Sequence, residues 1–74
     1  MKQKMKQYRV ELFNDYAPIQ GMRSDFEKHE SVENARRWAI ERGKKGNASY
    51  VRLYEKSDRV YNHYVYLTEI SIVS

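Results

Sequence analysis

The segment from Ser49 to Leu67 restricts the fold more than any other part of the chain, because its residues alternate in character as they do in β-strands. Five of the seven tyrosines lie in it, and a turn around residues 57–59 would fold it into a hairpin. With an even-numbered loop, one face carries Tyr50, Arg52, Tyr54, Lys56, Tyr61, His63, Val65 and Leu67. The other face carries Val51, Leu53, Tyr64 and Tyr66, and it is apolar enough to pack on a helix. An odd-numbered loop or a bulge would change this assignment.

Residues 31–46 have the sequence pattern of an amphipathic helix. Ser31 is a suitable N-cap, and Gly43 and Gly46 are stop signals. The apolar positions at helical spacing are Val32, Ala35, Ala39 and Ile40. Trp38 lies beside this apolar stripe, so we expect it in the core or at its rim rather than on a binding surface.

The first third of the chain predicts two further strands. Tyr8, Val10 and Leu12 alternate with polar residues, and residues 14–21 then form a loop that we expect to be a wide hairpin turn. The alternation of Met22, Ser24 and Phe26 with Arg23, Asp25 and Glu27 predicts a second strand beside the first. In the alternative, residues 24–27 are a capping box that starts the helix early. The predicted class is therefore α+β, a four-stranded antiparallel sheet with one helix on one face, in the order ββαββ, or βαββ without the second strand.

The length of 74 residues predicts a single domain over residues 1–74, with residues 1–6 as a flexible basic lead-in. The net charge of +4 and the pI of about 9.4 exclude an acidic mimic of DNA and favour partners with a negative surface, although simple solubility explains a charge of this size equally well. The absence of cysteine favours a reducing cytoplasm. No apolar run is long enough for a membrane helix, so we expect no membrane association.

The sequence offers little chemistry for catalysis. It has no cysteine, no metal-ligand spacing and no phosphate-binding glycine loop, so we expect neither a metal nor another cofactor. The one constellation that could react is His63 with Tyr54, Tyr61 and Arg52 on one sheet face, which is a possible arrangement for a small metal-independent toxin ribonuclease. We expect a non-catalytic protein and keep the ribonuclease as a third hypothesis.

Binding is the function that the composition favours, because the predicted sheet has one face that no element covers. Tyrosine and arginine are common at protein interfaces, and they also stack on bases and hold phosphates in nucleic-acid complexes. The predicted partner-binding residues are Tyr50, Arg52, Tyr54, Lys56, Tyr61, His63, Arg9 and Arg23. The partner could be a protein, single-stranded nucleic acid, or a second copy of the chain that pairs through the open face.

A resemblance to a known group of proteins favours one of these partners. The helix segment from Ser31 to Ala39, with its paired Arg36 and Arg37, is followed by the strand segment from Tyr50 to Glu55. In this order of elements the chain resembles the small sheet-plus-helix proteins that phages and other mobile elements encode against host defence, including some anti-CRISPR proteins. The resemblance implies a non-catalytic inhibitor that docks on a host nucleoprotein complex, such as a CRISPR effector.

Overall fold

A computed structural model describes residues 4–21 and 24–72 of the chain. Its elements in chain order are β1 (Lys6–Asn14), β2 (Ala17–Pro18), β3 (Ser24–His29), α1 (Val32–Lys45), β4 (Tyr50–Lys56) and β5 (Tyr64–Ser71). The α+β class with one antiparallel sheet and one helix is confirmed. The prediction of four strands was wrong in detail, because the two-residue β2 makes a fifth strand within the described residues. β1 begins at Lys6, the last residue of the predicted lead-in, and residues 1–3 of that lead-in lie outside the described residues.

The sheet is organised around β1 and β4, which lie at its centre. β1 pairs with β4 from Tyr8↔Glu55 to Phe13↔Tyr50, and β4 pairs with β5 on its other side. Along its remaining edge, β1 pairs first with β3, from Lys6 to Glu11, and then with β2 at Phe13 and Asn14. The predicted second strand is therefore present as β3, although Met22 and Arg23 lie outside the described residues.

A tight turn joins β1 to β2 inside the segment that the sequence predicts to be a wide loop. Its two central residues have positive φ angles, 51° at Asp15 and 67° at Tyr16, as in a type I′ hairpin turn. Sequence signals for this turn are usually Asn-Gly or Asp-Gly, because a large side chain is disfavoured at positive φ. The Asp-Tyr pair lacks that signal, so β2 could not be predicted.

The helix follows the sequence prediction at its start and departs from it near its end. The Ser31 Oγ accepts a hydrogen bond from the Asn34 N–H at 3.2 Å, which confirms the predicted N-cap. The helix ends at Lys45 with Gly46 as the C-cap, so the interpretation of Gly43 as a stop signal was wrong. Gly43 is buried within the helix, where a Cβ atom would lie 2.7 Å from the Ile72 Cδ1 and 2.8 Å from the Val51 Cγ1. This glycine allows close packing of the helix on the sheet.

The hydrophobic core lies between α1 and one face of the sheet. Its buried residues are Tyr8, Val10, Leu12, Ala35, Trp38, Ala39, Ala48, Val51 and Leu53. Trp38 is 7% exposed, which confirms its predicted place in the core or at its rim. Because the helix is the only layer over the sheet in the described residues, all of this burial is on one side of the sheet.

A β-bulge in β5 changes which side chains share a face. Leu53 pairs with Thr68 and Tyr54 with Tyr66, so Leu67 is an extra residue on β5. After the bulge the alternation reverses, and Tyr64 and Tyr66 lie on the same face as Tyr54. The predicted faces of β5 were therefore wrong. Tyr64 and Tyr66 do not face the helix, Val65 lies opposite Glu55 on the helix side, and Leu67 packs against the core.

We expect Leu53→Ala to lower the free energy of unfolding by about 2–5 kcal/mol, because it leaves a cavity at a fully buried side chain. Val60→Ala is the control, since Val60 is 56% exposed and its truncation should change stability by less than about 0.5 kcal/mol. Urea unfolding followed by circular dichroism measures both. Equal midpoints for the two variants would contradict the position of the core.

Candidate functional site: the open face of the sheet

The sheet face opposite α1 is the candidate site, and we call it the open face. Among the described residues, no helix or strand packs on it. The cross-strand pairing assigns to it Gln7, Arg9, Glu11 and Phe13 of β1, Ser24, Phe26 and Lys28 of β3, Tyr50, Arg52, Tyr54 and Lys56 of β4, and Tyr64, Tyr66, Glu69 and Ser71 of β5.

Arg9 is at the centre of the first cluster on the open face. Its Nη2 contacts the Glu11 Oε2 at 3.0 Å, its Nε donates to the Ser24 Oγ at 3.1 Å, and its guanidinium lies 5.0 Å from the centre of the Tyr54 ring. The Tyr54 hydroxyl donates to the other Glu11 carboxylate oxygen at 2.7 Å. Tyr66 completes the cluster with its ring 5.8 Å from that of Tyr54 and nearly perpendicular to it. These contacts fix the side chains in one arrangement.

A second contact bridges the open face from one side to the other. The rings of Phe26 on β3 and Tyr64 on β5 lie 5.5 Å apart, although β1 and β4 separate those strands in the sheet. Phe26 remains 48% exposed, and Tyr66 on the same face is 53% exposed. The open face therefore presents aromatic surface to solvent even after its side chains have packed on one another.

The second cluster lies at the other end of the open face. The rings of Phe13 and Tyr50 stack at 5.0 Å with an angle of 2° between their planes, and both residues are buried. The Arg52 guanidinium lies 4.8 Å from the centre of the Phe13 ring, and its Nε contacts the Glu69 Oε1 at 3.1 Å. The ring of Tyr16, which is 88% exposed in the strained turn, lies 5.7 Å from that of Tyr50.

Two of these side chains have shifted pKa values with clear causes. Burial raises the pKa of Tyr54 above its usual value, and the hydrogen bond to Glu11 raises it further, because both favour the neutral phenol. The hydrogen bond to Glu69 raises the pKa of Arg52. The guanidinium of Arg52 and the hydroxyl of Tyr54 thus stay protonated over the physiological pH range.

Lysines occupy the end of the open face next to the β4–β5 loop. A shallow depression of about 360 Å³ is lined there by Met5, Lys6, Gln7, Lys28, Lys56, Ser57 and Asp58. Lys6 binds Glu55 at 3.4 Å and Asp58 at 3.0 Å. No carboxylate of the described residues lies within 4.0 Å of the ammonium group of Lys28 or Lys56, so these two charges are available to an anion.

The structure brings most of the predicted binding residues together. Tyr50, Arg52, Tyr54, Lys56 and Arg9 lie on the open face, and Arg23 lies outside the described residues. The placement of Tyr61 and His63 on a strand was wrong, because both belong to the loop of residues 57–63. The Ser57 N–H donates to the His63 carbonyl at 2.7 Å, which closes that loop before β5 begins. Tyr61 and His63 therefore do not share a sheet face with Arg52 and Tyr54, as the ribonuclease hypothesis required.

Several residues of the open face were not among the predicted binding residues. Phe26 and Tyr66 are exposed aromatic side chains of this face, Tyr16 lies beside it in the β1–β2 turn, and Phe13 and Glu11 organise the two arginines. The parity of β1 relative to Val10 and Leu12 could have identified Phe13 and Glu11, since alternate residues share a face. Tyr66 could not be found this way, because the bulge reverses the parity of β5.

No family model, no curated protein and no solved structure matches this chain. In the described part of the chain, no group of three or more His, Asp or Glu side chains is arranged to hold a metal ion. The helix α1 is neither long nor apolar enough to cross a membrane, and residues 4–21 and 24–72 contain no other helix.

We expect the free energy of unfolding to fall as the pH rises above 10.0. Tyr54 and the core residue Tyr8 have folded-state pKa values above 10.0, so the folded state holds these protons more tightly and loses stability as the pH rises through the raised values. The double variant Tyr8→Phe/Tyr54→Phe should show a shallower fall than the wild type in urea titrations at several pH values. Tyr61→Phe is the control at a ring that is 94% exposed. If the free energy of unfolding falls equally steeply with pH in all three proteins, Tyr8 and Tyr54 are not the cause of the fall.

Proposed function

We propose that this chain is a non-catalytic binding protein, an anti-CRISPR-like inhibitor of the phage type. In this proposal it acts in the bacterial cytoplasm and docks through the open face on a host nucleoprotein complex. The observation that carries the proposal of binding is the aromatic surface of the open face, with the arginines set into it. The choice of target rests on the resemblance in the segments Ser31–Ala39 and Tyr50–Glu55.

The side chains of the open face are suited to an interface because they are already ordered. Association costs free energy for every flexible side chain that must be immobilised, about 0.5–1.5 kcal/mol each. Arg9 and Arg52 are long side chains that would normally bear this cost, but stacking and ion pairs hold both in place. Tyrosine and arginine in such a setting are the residue types most enriched at interface hot spots.

The pairing of the arginines favours a protein target over a phosphate backbone. Glu11 neutralises Arg9, and Glu69 neutralises Arg52, so each guanidinium meets a partner with part of its charge already compensated. A carboxylate beside the guanidinium would repel a phosphate, whereas a protein surface can offer both hydrogen-bond donors and acceptors.

We expect Tyr66→Ala to weaken target binding by roughly 30-fold, the equivalent of about 2 kcal/mol for an interface hot spot. The double variant Arg52→Glu/Lys56→Glu should weaken binding at least as much, since it reverses two charges on the open face. Arg37→Glu/Lys45→Glu is the matched control, because it makes the same charge change at exposed positions of α1.

These variants can be tested as baits in bacterial lysate, with and without nuclease, and as inhibitors of CRISPR interference in a phage plaque assay. A protein complex that survives nuclease, together with plaque formation that the open-face variants lose and the helix variant keeps, supports the proposal. Normal binding and inhibition by the open-face variants would show that the proposed surface is wrong. Capture of a complex without any effect on interference would refute the anti-CRISPR target alone.

The alternative function is a small single-stranded DNA or RNA-binding domain, and the unpaired Lys28 and Lys56 favour it. Exposed aromatic rings beside these lysines could stack on bases while the ammonium groups contact phosphates. Binding of a single-stranded oligonucleotide should then weaken log-linearly with salt, and Lys28→Gln/Lys56→Gln should reduce the slope of that dependence. Fluorescence anisotropy measures the slope. No oligonucleotide binding at low salt would exclude this alternative.

A further inference from the structure

The outer edge of β5 is an exposed feature separate from the open face. β5 pairs with β4 along one edge, and along its other edge it has no partner in the described part of the chain. This strand of eight residues therefore exposes a row of backbone N–H and C=O groups with which another strand can pair.

The two outer edges of the sheet differ in how they are protected. β3 carries Asp25, Glu27 and Lys28 along its six residues, and charges of this kind discourage pairing with another chain. β5 has no lysine and no proline, and its one charged residue, Glu69, is held by Arg52. The β5 edge also presents apolar surface, since Val65 is 47% exposed and Tyr66 is 53% exposed.

The backbone hydrogen bonds at both ends of the β4–β5 ladder show which groups of β5 point outward. The Ile72 N–H donates to the Ser49 carbonyl at 3.0 Å, and the His63 carbonyl accepts from the Ser57 N–H at 2.7 Å. Residues 63 and 72 thus direct their backbone groups toward β4, and these groups alternate in direction along an antiparallel strand. The outward groups are those of Tyr64, Tyr66, Glu69 and Ser71.

From this pattern we propose that two copies of this chain pair through their β5 edges, antiparallel and about a two-fold axis between Leu67 and Thr68. The axis places Tyr66 opposite Glu69 of the second copy, and Tyr64 opposite Ser71. Both pairs consist of residues whose backbone groups point outward and whose side chains lie on the open face. Val65 lies opposite Ile70 of the second copy, and both are on the helix side.

The bulge makes β5 complementary to itself in this register. In a regular strand, residues of opposite parity lie on opposite faces and could not be paired. The extra residue Leu67 reverses the parity, so residues 64–66 match residues 69–71 in face and in hydrogen-bonding direction. A bulge on an edge usually hinders pairing, but this one lies at the axis and leaves equal lengths of regular strand on either side.

A second copy of the chain fits this edge better than an unrelated peptide does. Its own β5 is a strand whose side-chain faces, outward backbone groups and length all match those of the edge. The same surface patch serves both partners, as required for a closed two-fold dimer. The result is a continuous sheet across two chains with both helices on one side. The two open faces then form one surface of doubled width.

Sedimentation velocity over a wide range of protein concentration tests the dimer, with Val65→Lys as the disrupting variant. A lysine on the β5 edge should raise the dissociation constant of the dimer by about tenfold or more, while its position opposite Glu55 keeps the monomer folded. Val60→Lys is the matched control in the β4–β5 loop. A wild type that is monomeric at every concentration, or a dimer that Val65→Lys leaves intact, would overturn the proposal.

Amide hydrogen exchange identifies the register independently of any variant. In the dimer, the amides of Tyr66 and Glu69 should exchange more slowly as the protein concentration rises, whereas the amides of Val65 and Ile70 point toward β4 and should not respond. Exchange at Tyr66 and Glu69 that is independent of concentration would overturn the pairing. A dimer that Tyr66→Ala disrupts and Val65→Lys does not would show that the copies meet through the open face instead.

Discussion

The packing of α1 across β1 and β4 is the interaction on which the rest of the structure depends. Leu12, Val51 and Leu53 are fully buried beneath the helix, and the buried Gly43 allows the helix to approach Val51 and Ile72 closely. A domain of this size buries only about 60% of its unfolded surface, and in the described residues one helix covers one face of the sheet. The single helix therefore determines which sheet face becomes core, and it leaves the other face to be stabilised by its own side chains.

The open face is stabilised by aromatic rings and paired arginines rather than by aliphatic residues. Phe13 and Tyr50 are buried by stacking on each other and beneath Arg52, and Arg9 is held by Glu11, Ser24 and Tyr54. Planar rings and guanidinium groups can pack on a surface while their edges still reach water. The same contacts that stabilise this face in solution support the proposed binding function, since a partner would not have to order these side chains.

The bulge at Leu67 shapes both the open face and the free edge of β5. It moves Tyr64 and Tyr66 to the open face, where they pack against Phe26 and Tyr54. It also gives the two halves of β5 a matching direction of backbone groups along the free edge. One inserted residue thus decides which side chains lie on the open face and which backbone groups point outward at the edge, because side chains and backbone groups both alternate with a period of two.

Local sequence patterns are enough to predict the α+β class, the helix with its Ser31 cap, and a strand that places Tyr50, Arg52, Tyr54 and Lys56 on one face. These features follow from local periodicity and capping, which act over a few neighbouring residues. Three further features emerge only in the folded structure, namely the faces of β5, the turn at Asp15 and Tyr16, and the packing role of Gly43. Each of these depends on contacts between distant segments. A bulge arises from the register of two strands, a strained turn is held by the pairing around it, and a close approach exists only once the helix lies on the sheet.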